Sequence, residues 1–259
     1  MTSTHASVVF LMYHELALPG RSLVESEPGY IRYALDAAEF EGQMRAIRDM
    51  GFRGIGVGRA LEFPSRSVAI TFDDGCETDL LSAAPVLKQL GFGATFYVVA
   101  GWIGKPGFLS APQVRELDDA GFEIGCHSMT HAYLSDLDEP GLSREIREAK
   151  ETIEQLLGNR IEHFSCPGGR SDRRAVAIAK QAGFETVSTS VPRANRSSTN
   201  RFALGRVAIK RGVSANGFEN ICRGRTLWKV ELSGELRDSA KRILGNRTYD
   251  RMRSIILGK

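Results

Sequence analysis

Two pairs of residues have the types and spacing needed for metal-assisted chemistry. The first pair is Asp73 and Asp74, which stand directly after the apolar run at 67–72 and directly before Gly75. Adjacent carboxylates at the end of a buried strand repel each other and lose hydration, so a cation or a set of donors must neutralise them. Neighbouring strand residues point to opposite faces, so both aspartates can serve one site only if the chain turns here, which Gly75 permits.

The second pair is His127 and His131, whose spacing brings two imidazoles to one side of a helical turn or a tight loop. Two imidazoles and one carboxylate are a ligand set typical of a catalytic metal site. Alone, such a histidine pair more often indicates surface or core residues, and one aspartate could instead cap a helix that starts near Thr78. Metal binding accounts for both aspartates, because one would coordinate while the other orients or deprotonates a water.

Seven short apolar runs supply the elements that would position these residues. The runs are SVVFLMYH, SVAITFDD, GATFYVVA, FEIGCHS, EHFSCPGG, FETVSTS and FALGRVAIK, and helical spacing is found at 36–50, 78–90, 111–120, 139–157 and 171–182. Strands that are apolar on both faces and alternate with helices predict a parallel sheet with the helices outside it. Seven such units predict a single-domain α/β barrel.

The residues with chemical potential follow the predicted strands. His14 follows the first run, the two aspartates follow the second, the two histidines follow the fourth, and the segment 167–169 follows the fifth. The chemistry of α/β barrels lies at the carboxyl ends of the strands. We therefore expect these residues to meet at one mouth of the barrel.

Four motifs resemble those of a known family. TFDDG, HSMTH and FSCPGG, preceded by the N-terminal MYH, resemble the polysaccharide deacetylases, the carbohydrate esterases that share the chitooligosaccharide deacetylase homology domain. The resemblance spans about residues 8–210. It implies a distorted (β/α)7 barrel, here assigned to residues 1–222.

The resemblance also implies a role for individual residues. Asp74, His127 and His131 would bind a divalent metal, with Zn2+ expected, and Asp73 would be the general base that takes a proton from water. The backbone amide of Gly168, just after the third-motif proline, would stabilise the oxyanion.

The sequence departs from the family's pattern at two places. Many members carry a third-motif arginine that fixes the base, but Ser165 stands there in this chain. Arg170 is a candidate replacement from the loop, or else a solvated loop cation. Many members also carry a late histidine that protonates the leaving amine, but no histidine follows His163. His14 is the candidate for this acid, and its alternative role is a hydrogen-bonded histidine of the barrel rim.

Charge and cysteine content limit the partners and the compartment. The main body has no basic stripe of the kind that tracks phosphates, so nucleic acid is not an expected partner. The run at 191–206 holds four arginines and predicts either an exposed loop or a contact with an anionic part of the substrate. The four cysteines are widely spaced in a chain too large to need a disulfide scaffold, which predicts reduced thiols.

The C-terminal segment 223–259 is predicted to be a separate basic amphipathic tail. It holds ten Lys and Arg against four Asp and Glu and has apolar residues at helical spacing. It could pack on the barrel flank or contact an anionic membrane surface. The N-terminus lacks the pattern of a signal peptide, so we expect a cytoplasmic protein, with the tail as its potential contact to the inner membrane.

The expected function is metal-dependent removal of an N-acetyl group from an amino sugar. The substrate would be a polysaccharide, an oligosaccharide or a lipid-linked glycan precursor, as in exopolysaccharide synthesis. One alternative is a hydrolase of another C–N bond, such as a deformylase or a cyclic-amide hydrolase. A second is a catalytically silent glycan-binding protein, which the missing arginine and late histidine would suit.

Overall fold

Strands and helices alternate along the chain in the computed structural model, which describes residues 7–170, 172–225 and 227. The strands are β1 (Val8–Tyr13), β2 (Leu16–Ala17), β3 (Leu35–Asp36), β4 (Arg53–Ile55), β5 (Ser67–Phe72), β6 (Thr95–Val98), β7 (Glu123–Cys126), β8 (His163–Ser165), β9 (Thr186–Ser188), β10 (Ala194–Asn195) and β11 (Val207–Ala208). The helices are α1 (Pro28–Ile31), α2 (Ala37–Asp49), α3 (Val57–Ala60), α4 (Ala84–Leu90), α5 (Ala111–Asp119), α6 (Glu139–Ser143), α7 (Ala149–Leu157), α8 (Arg173–Gln181) and α9 (Ala215–Cys222). The seven predicted strands and five predicted helical segments are all present.

The main sheet is mostly parallel and curls on itself. Its order is β10-β1-β5-β6-β7-β8-β9, with β4 along the first half of β5 and β11 parallel to β1. A parallel bridge joins Ser188 of β9 to Leu204, three residues before β11 begins. The chain at 204–208 therefore lies between β9 and β1 and closes a distorted barrel, which confirms the predicted α/β fold.

The two faces of the sheet differ in polarity. In β5, Val68 and Ile70 point outward into the main apolar cluster beneath the helices, whereas Ala69 belongs to a small cluster inside the barrel. Because side chains alternate, Thr71 and Asp73 share the inward face with Ala69. The inward face of β5 therefore becomes polar toward the carboxyl end of the strand. The sequence analysis had predicted that both faces of the strand are apolar.

Side-chain caps set the start of two helices beside the mouth. Ser110 and Gln113 form a capping box at the start of α5, and the Asp172 carboxylate accepts the N–H groups of Arg174 and Ala175 at the start of α8. The predicted helices at 78–90 and 139–157 each contain a π-helical segment, Asp79–Ala83 and Arg144–Glu148. π-Helical turns often occur at functional sites.

The described chain gives no support for a membrane span. None of its helices has the length and apolar character needed to cross a bilayer. The helix α9 ends at Cys222, and the predicted tail, apart from residues 223–225 and 227, lies outside the described residues.

Candidate active site

The carboxyl ends of β5 and β7 bring the predicted metal ligands together. One ligand atom from each of Asp74, His127 and His131 lies within 4.8 Å of the other two. Nε2 of His127 and Nε2 of His131 are each 3.5 Å from Oδ1 of Asp74. Within the described residues this is the one group of three such side chains close enough to hold a metal ion.

The turn after β5 brings both aspartate side chains to the same site. The Asp73 N–H still donates to the Tyr13 carbonyl at 3.0 Å, which continues the pairing with β1. The turn begins at Asp74, which has φ +81°, and continues through Gly75, which has φ +75°. A Cβ at Gly75 would lie 2.9 Å from the Val98 side chain, so both conformation and space require glycine there. The predicted turn is present, but it starts one residue earlier than expected.

The two histidines lie on a tight loop rather than on a helix. Its residues Ser128 and His131 have φ values of +70° and +64°. The Ser128 hydroxyl accepts the His131 N–H at 3.0 Å. The buried Glu145 carboxylate accepts the N–H of Met129 at 3.0 Å and the N–H of Thr130 at 2.8 Å. Glu145 lies in a π-helical segment and holds the loop in place through these hydrogen bonds. The sequence analysis did not predict this role.

The environment of the imidazoles suits metal coordination. Nδ1 of His127 lies 2.9 Å from the Ser165 carbonyl oxygen, an acceptor, so we assign the proton to Nδ1 and the free lone pair to Nε2. Burial lowers the pKa of His127 to about 3 and also lowers the pKa of His131. Both rings are therefore neutral at neutral pH, which is the form that binds a metal.

One oxygen of the Asp74 carboxylate has no hydrogen-bond donor among the described residues. Asp74 is buried, and this oxygen is its Oδ1. Burial raises its pKa to about 6, against the lowering effect of His14 and with a further contribution from the Asp73 charge. A buried acceptor without a donor, 3.5 Å from two neutral imidazole nitrogens, fits a divalent cation, which would supply the missing positive charge.

A fully buried arginine, Arg206, holds the carboxylate of Asp73. Its Nη1 donates to Oδ1 of Asp73 at 2.6 Å and its Nη2 donates to Oδ2 at 2.8 Å. Nη2 also donates to the Ser165 hydroxyl at 2.7 Å, and Nε donates to the Thr189 carbonyl at 3.1 Å. This paired geometry fixes both the position and the rotation of the carboxylate.

Arg206 also determines the charge of Asp73. Burial by itself would raise the pKa of Asp73, but the guanidinium of Arg206, with a smaller effect of His127, holds the pKa well below its usual range. Asp73 is therefore ionised at any pH where the protein would work. Its Oδ2 lies 3.8 Å from Nε2 of His127, so an anionic acceptor stands beside the candidate metal ligands.

Arg206 makes the contacts with Asp73 that were predicted for Arg170. The Arg170 guanidinium lies over the Tyr133 ring at 4.0 Å from its centroid, and its role stays a prediction. Ser165, in the position of the family's arginine, joins the same network. One signal was available, because Arg206 lies within the apolar run FALGRVAIK, and a charged residue in a buried strand requires a buried partner.

His14 lies at the carboxyl end of β1, on the same side of the barrel. His14 contributes to lowering the pKa of both Asp73 and Asp74, which reflects its position near them. Its ring centroid is 5.4 Å from that of Tyr33, and its Nδ1 is buried without a hydrogen-bond partner in the described part of the chain. A hydrogen bond at the barrel rim, which was the alternative role of His14, is not among these contacts. The role of His14 as the general acid stays a prediction.

Gly168 occupies a position that other residues could not. It has φ +60°, and a Cβ there would lie 2.8 Å from the Tyr133 ring. The close approach of Tyr133 holds the loop Pro167–Gly169 at the end of β8. The oxyanion role of the Gly168 amide stays a prediction.

The cysteines beside the motifs are packing residues. Cys76, Cys126, Cys166 and Cys222 are all buried, and none of them forms a disulfide within the described residues. The reduced state stays a prediction. None belongs to the candidate metal group of the described residues. Burial raises the pKa of Cys126 to about 12, so its thiol stays protonated.

Comparisons with known proteins agree with this site. The sequence profile described as polysaccharide deacetylase matches residues 60–187, which include both aspartates and both histidines. The Bacillus subtilis (strain 168) protein YxkH, which carries the same family name, is 28% identical over 224 residues, covering 84% of this chain and 76% of its own. A poly-beta-1,6-N-acetyl-D-glucosamine N-deacetylase of Staphylococcus aureus (strain MRSA252) is 22% identical over 211 residues, covering 74% of this chain and 71% of its own.

A solved structure shares the fold. The Streptococcus pyogenes deacetylase PplD, determined in complex with acetate, superposes with a TM-score of 0.74 at 21% identity, covering 85% of this chain and 99% of that chain. The profile match and the named curated relatives show the class of enzyme, a hydrolase of carbon–nitrogen bonds other than peptide bonds. The chain belongs to the polysaccharide deacetylase family. The predicted family and enzyme class are thus confirmed.

Proposed function

We propose that this protein hydrolyses the N-acetyl amide of an amino sugar in a glycan, with Zn2+ held by Asp74, His127 and His131. The observation that carries the proposal is the unpartnered Asp74 oxygen 3.5 Å from two imidazole nitrogens, with the ionised Asp73 beside it. The similar Staphylococcus aureus protein, named for its action on poly-beta-1,6-N-acetyl-D-glucosamine, supports a glycan substrate.

The residues of this chain would divide the reaction between them. A divalent ion at Asp74 and the two histidines would polarise the acyl carbonyl and lower the pKa of water from 15.7 to about 7. Asp73 accepts the proton of the attacking water, and Arg206 keeps its carboxylate ionised and aimed at that water. The Gly168 N–H donates to the carbonyl oxygen as that atom gains charge. His14 gives a proton to the departing amine.

Metal removal tests the proposal directly. We expect protein stripped with a chelator to release no acetate from β-1,4- or β-1,6-linked N-acetylglucosamine oligomers, and one equivalent of zinc to restore the release. Formate release from N-formyl analogues, measured in parallel, reports on the deformylase alternative. A zinc-loaded protein that binds the oligomers but releases no acetate would contradict the proposal and favour the silent glycan-binding alternative.

The acid role of His14 predicts an effect that depends on the leaving group. His14→Gln should lower kcat for the sugar amide by about 10²-fold, the scale of one general acid. Hydrolysis of 4-nitrophenyl acetate, whose leaving group departs without a proton, should change much less. Acetate release from the two substrates measures the difference, and Tyr33→Phe, which keeps the neighbouring ring, is the control. Equal losses on both substrates would contradict the acid role.

The proposal extends to the setting of the reaction. We place the protein in the cytoplasm, where an oligosaccharide or a lipid-linked precursor is the substrate within reach. The tail at 223–259 would be its contact with an anionic membrane surface. Cell fractionation with and without residues 235–259 tests both points.

A further inference from the structure

Two aromatic rings, Trp102 and Phe108, extend the mouth beyond the candidate metal site. Their centroids are 4.7 Å apart at an interplanar angle of 45°, and the Trp102 ring is 5.3 Å from the ring of His131. Both side chains are half-buried. Within the described chain, neither belongs to the apolar clusters that form the core. We define them together as the aromatic platform.

One end of the platform is fastened to the histidine loop. Trp102 lies on the short turn Ala100–Trp102 that follows β6. The Ala100 N–H donates to the Ser128 carbonyl at 3.0 Å and the Gly101 N–H donates to the Met129 carbonyl at 2.9 Å. A Cβ at Gly101 would lie 2.5 Å from that Met129 oxygen, so the close approach requires glycine. The indole is thus held at a fixed position beside His131.

The other end is fastened to the loop that carries Asp74. The Leu109 N–H donates to the Gly75 carbonyl at 2.9 Å, and the Glu77 N–H donates to the Gly107 carbonyl at 2.9 Å. Phe108 therefore stands between two backbone ties to the residues that follow the metal ligand. A surface already ordered in this way loses little conformational entropy when a ligand binds it.

The chemistry of the platform selects its ligand. An aromatic ring carries negative charge on its face, which attracts the weakly positive C–H groups that line one face of a pyranose ring. The platform lies directly beside His131, a candidate metal ligand. A sugar ring that stacks on the platform would therefore carry the acyl group that reacts at the metal. We infer that Trp102 and Phe108 bind the pyranose ring of the acylated sugar and set the affinity for glycans. This inference rests on the proposed deacetylase function.

Kinetics of zinc-loaded variants separate this role from a structural one. Trp102→Ala should raise KM for N-acetylglucosamine oligomers about tenfold, the scale of an aromatic contact and its buried area, with kcat changed about threefold at most. Trp102→Phe should recover much of the affinity. The matched control is Phe52→Ala, which removes a half-buried ring just before β4, at the opposite end of the barrel, and should leave KM unchanged. An unchanged KM in Trp102→Ala, or a fall in kcat and zinc affinity alone, would overturn the inference, because the ring would then only orient His131.

Fluorescence gives a second test that needs no turnover. The chain has two tryptophans, Trp102 and Trp228, so Trp228→Phe leaves Trp102 as the single reporter. In zinc-loaded protein that also carries Asp73→Asn, titration with the same oligomers should shift the emission saturably. A shift without acetate release from the wild type would contradict the proposed function and support the platform. Acetate release without a shift, or neither signal, would reject the platform.

Discussion

Replacing Asp73 with asparagine should lower kcat for acetate release by about 10²- to 10⁴-fold, the contribution of a general base, while the protein keeps its zinc. Asparagine has nearly the same shape but cannot accept a proton at neutral pH. The Asp73 carboxylate accepts hydrogen bonds from Arg206 and Ser165 and is not part of the candidate metal group, so we do not expect it to be a ligand. The measurements are kcat on N-acetylglucosamine oligomers and zinc per chain by elemental analysis.

The neighbouring aspartate gives the matched control. Asp74→Asn makes the same chemical change one residue away, at the oxygen that lies 3.5 Å from both imidazole nitrogens. We expect this variant to lose zinc and activity together, and excess zinc to restore part of its activity. Excess zinc should not restore Asp73→Asn. The opposite pattern, with zinc rescuing Asp73→Asn, would exchange the roles of the two residues.

The fold was predictable because the strands that build it are dense in apolar residues. β1 and β5 are buried along their whole length, so their sequences consist mainly of apolar residues. β4 escaped prediction because its three residues, Arg53–Ile55, include a charge and a glycine and pair only with the first half of β5. A strand this short is defined by its neighbour rather than by its own composition.

The cluster of Asp74, His127 and His131 was predictable for a different reason. Aspartate is depleted in strands, so a pair directly after an apolar run is noticeable, and the carboxyl ends of parallel strands meet in space. Arg206 and Glu145 were missed because each acts on a partner distant in sequence, and no local pattern links them. Arg206 stands 133 residues from Asp73. The turn was expected at Gly75 but begins at Asp74. Aspartate, like glycine, tolerates a positive φ, so the chain can turn one residue earlier.

Replacing Arg206 with glutamine should destabilise the protein by about 3–5 kcal/mol, the usual effect of removing one partner from a buried ion pair. The arginine is fully buried, and its loss leaves the Asp73 charge without its cation. Arg206→Lys should recover only part of the stability, because an ammonium group cannot reproduce the two parallel bonds. Urea unfolding at pH 7 measures the change in the free energy of unfolding.

Two further variants show whether the effect belongs to the pair. Arg211→Gln removes the same charge from a solvent-exposed pair with Asp36 and should cost at most about 1 kcal/mol. The double variant Asp73→Asn, Arg206→Gln leaves two neutral amides and should be more stable than the sum of the single losses indicates. Additive losses would mean that the two groups do not stabilise each other.

The same substitution should move the pH dependence of activity upward. In the wild type burial raises the pKa of Asp73, but the charge and hydrogen bonds of Arg206, together with His127 and His14, outweigh it, so the carboxylate stays ionised down to low pH. Without the guanidinium, burial dominates and the pKa rises, so the base becomes protonated as the pH falls through a higher value. A bound metal ion would lower this pKa in both proteins, which leaves the direction of the difference intact. The acid limb of kcat/KM should therefore lie at higher pH in Arg206→Gln than in the wild type or Arg211→Gln, and coincident limbs in all three proteins would show that Arg206 does not set the charge of the base.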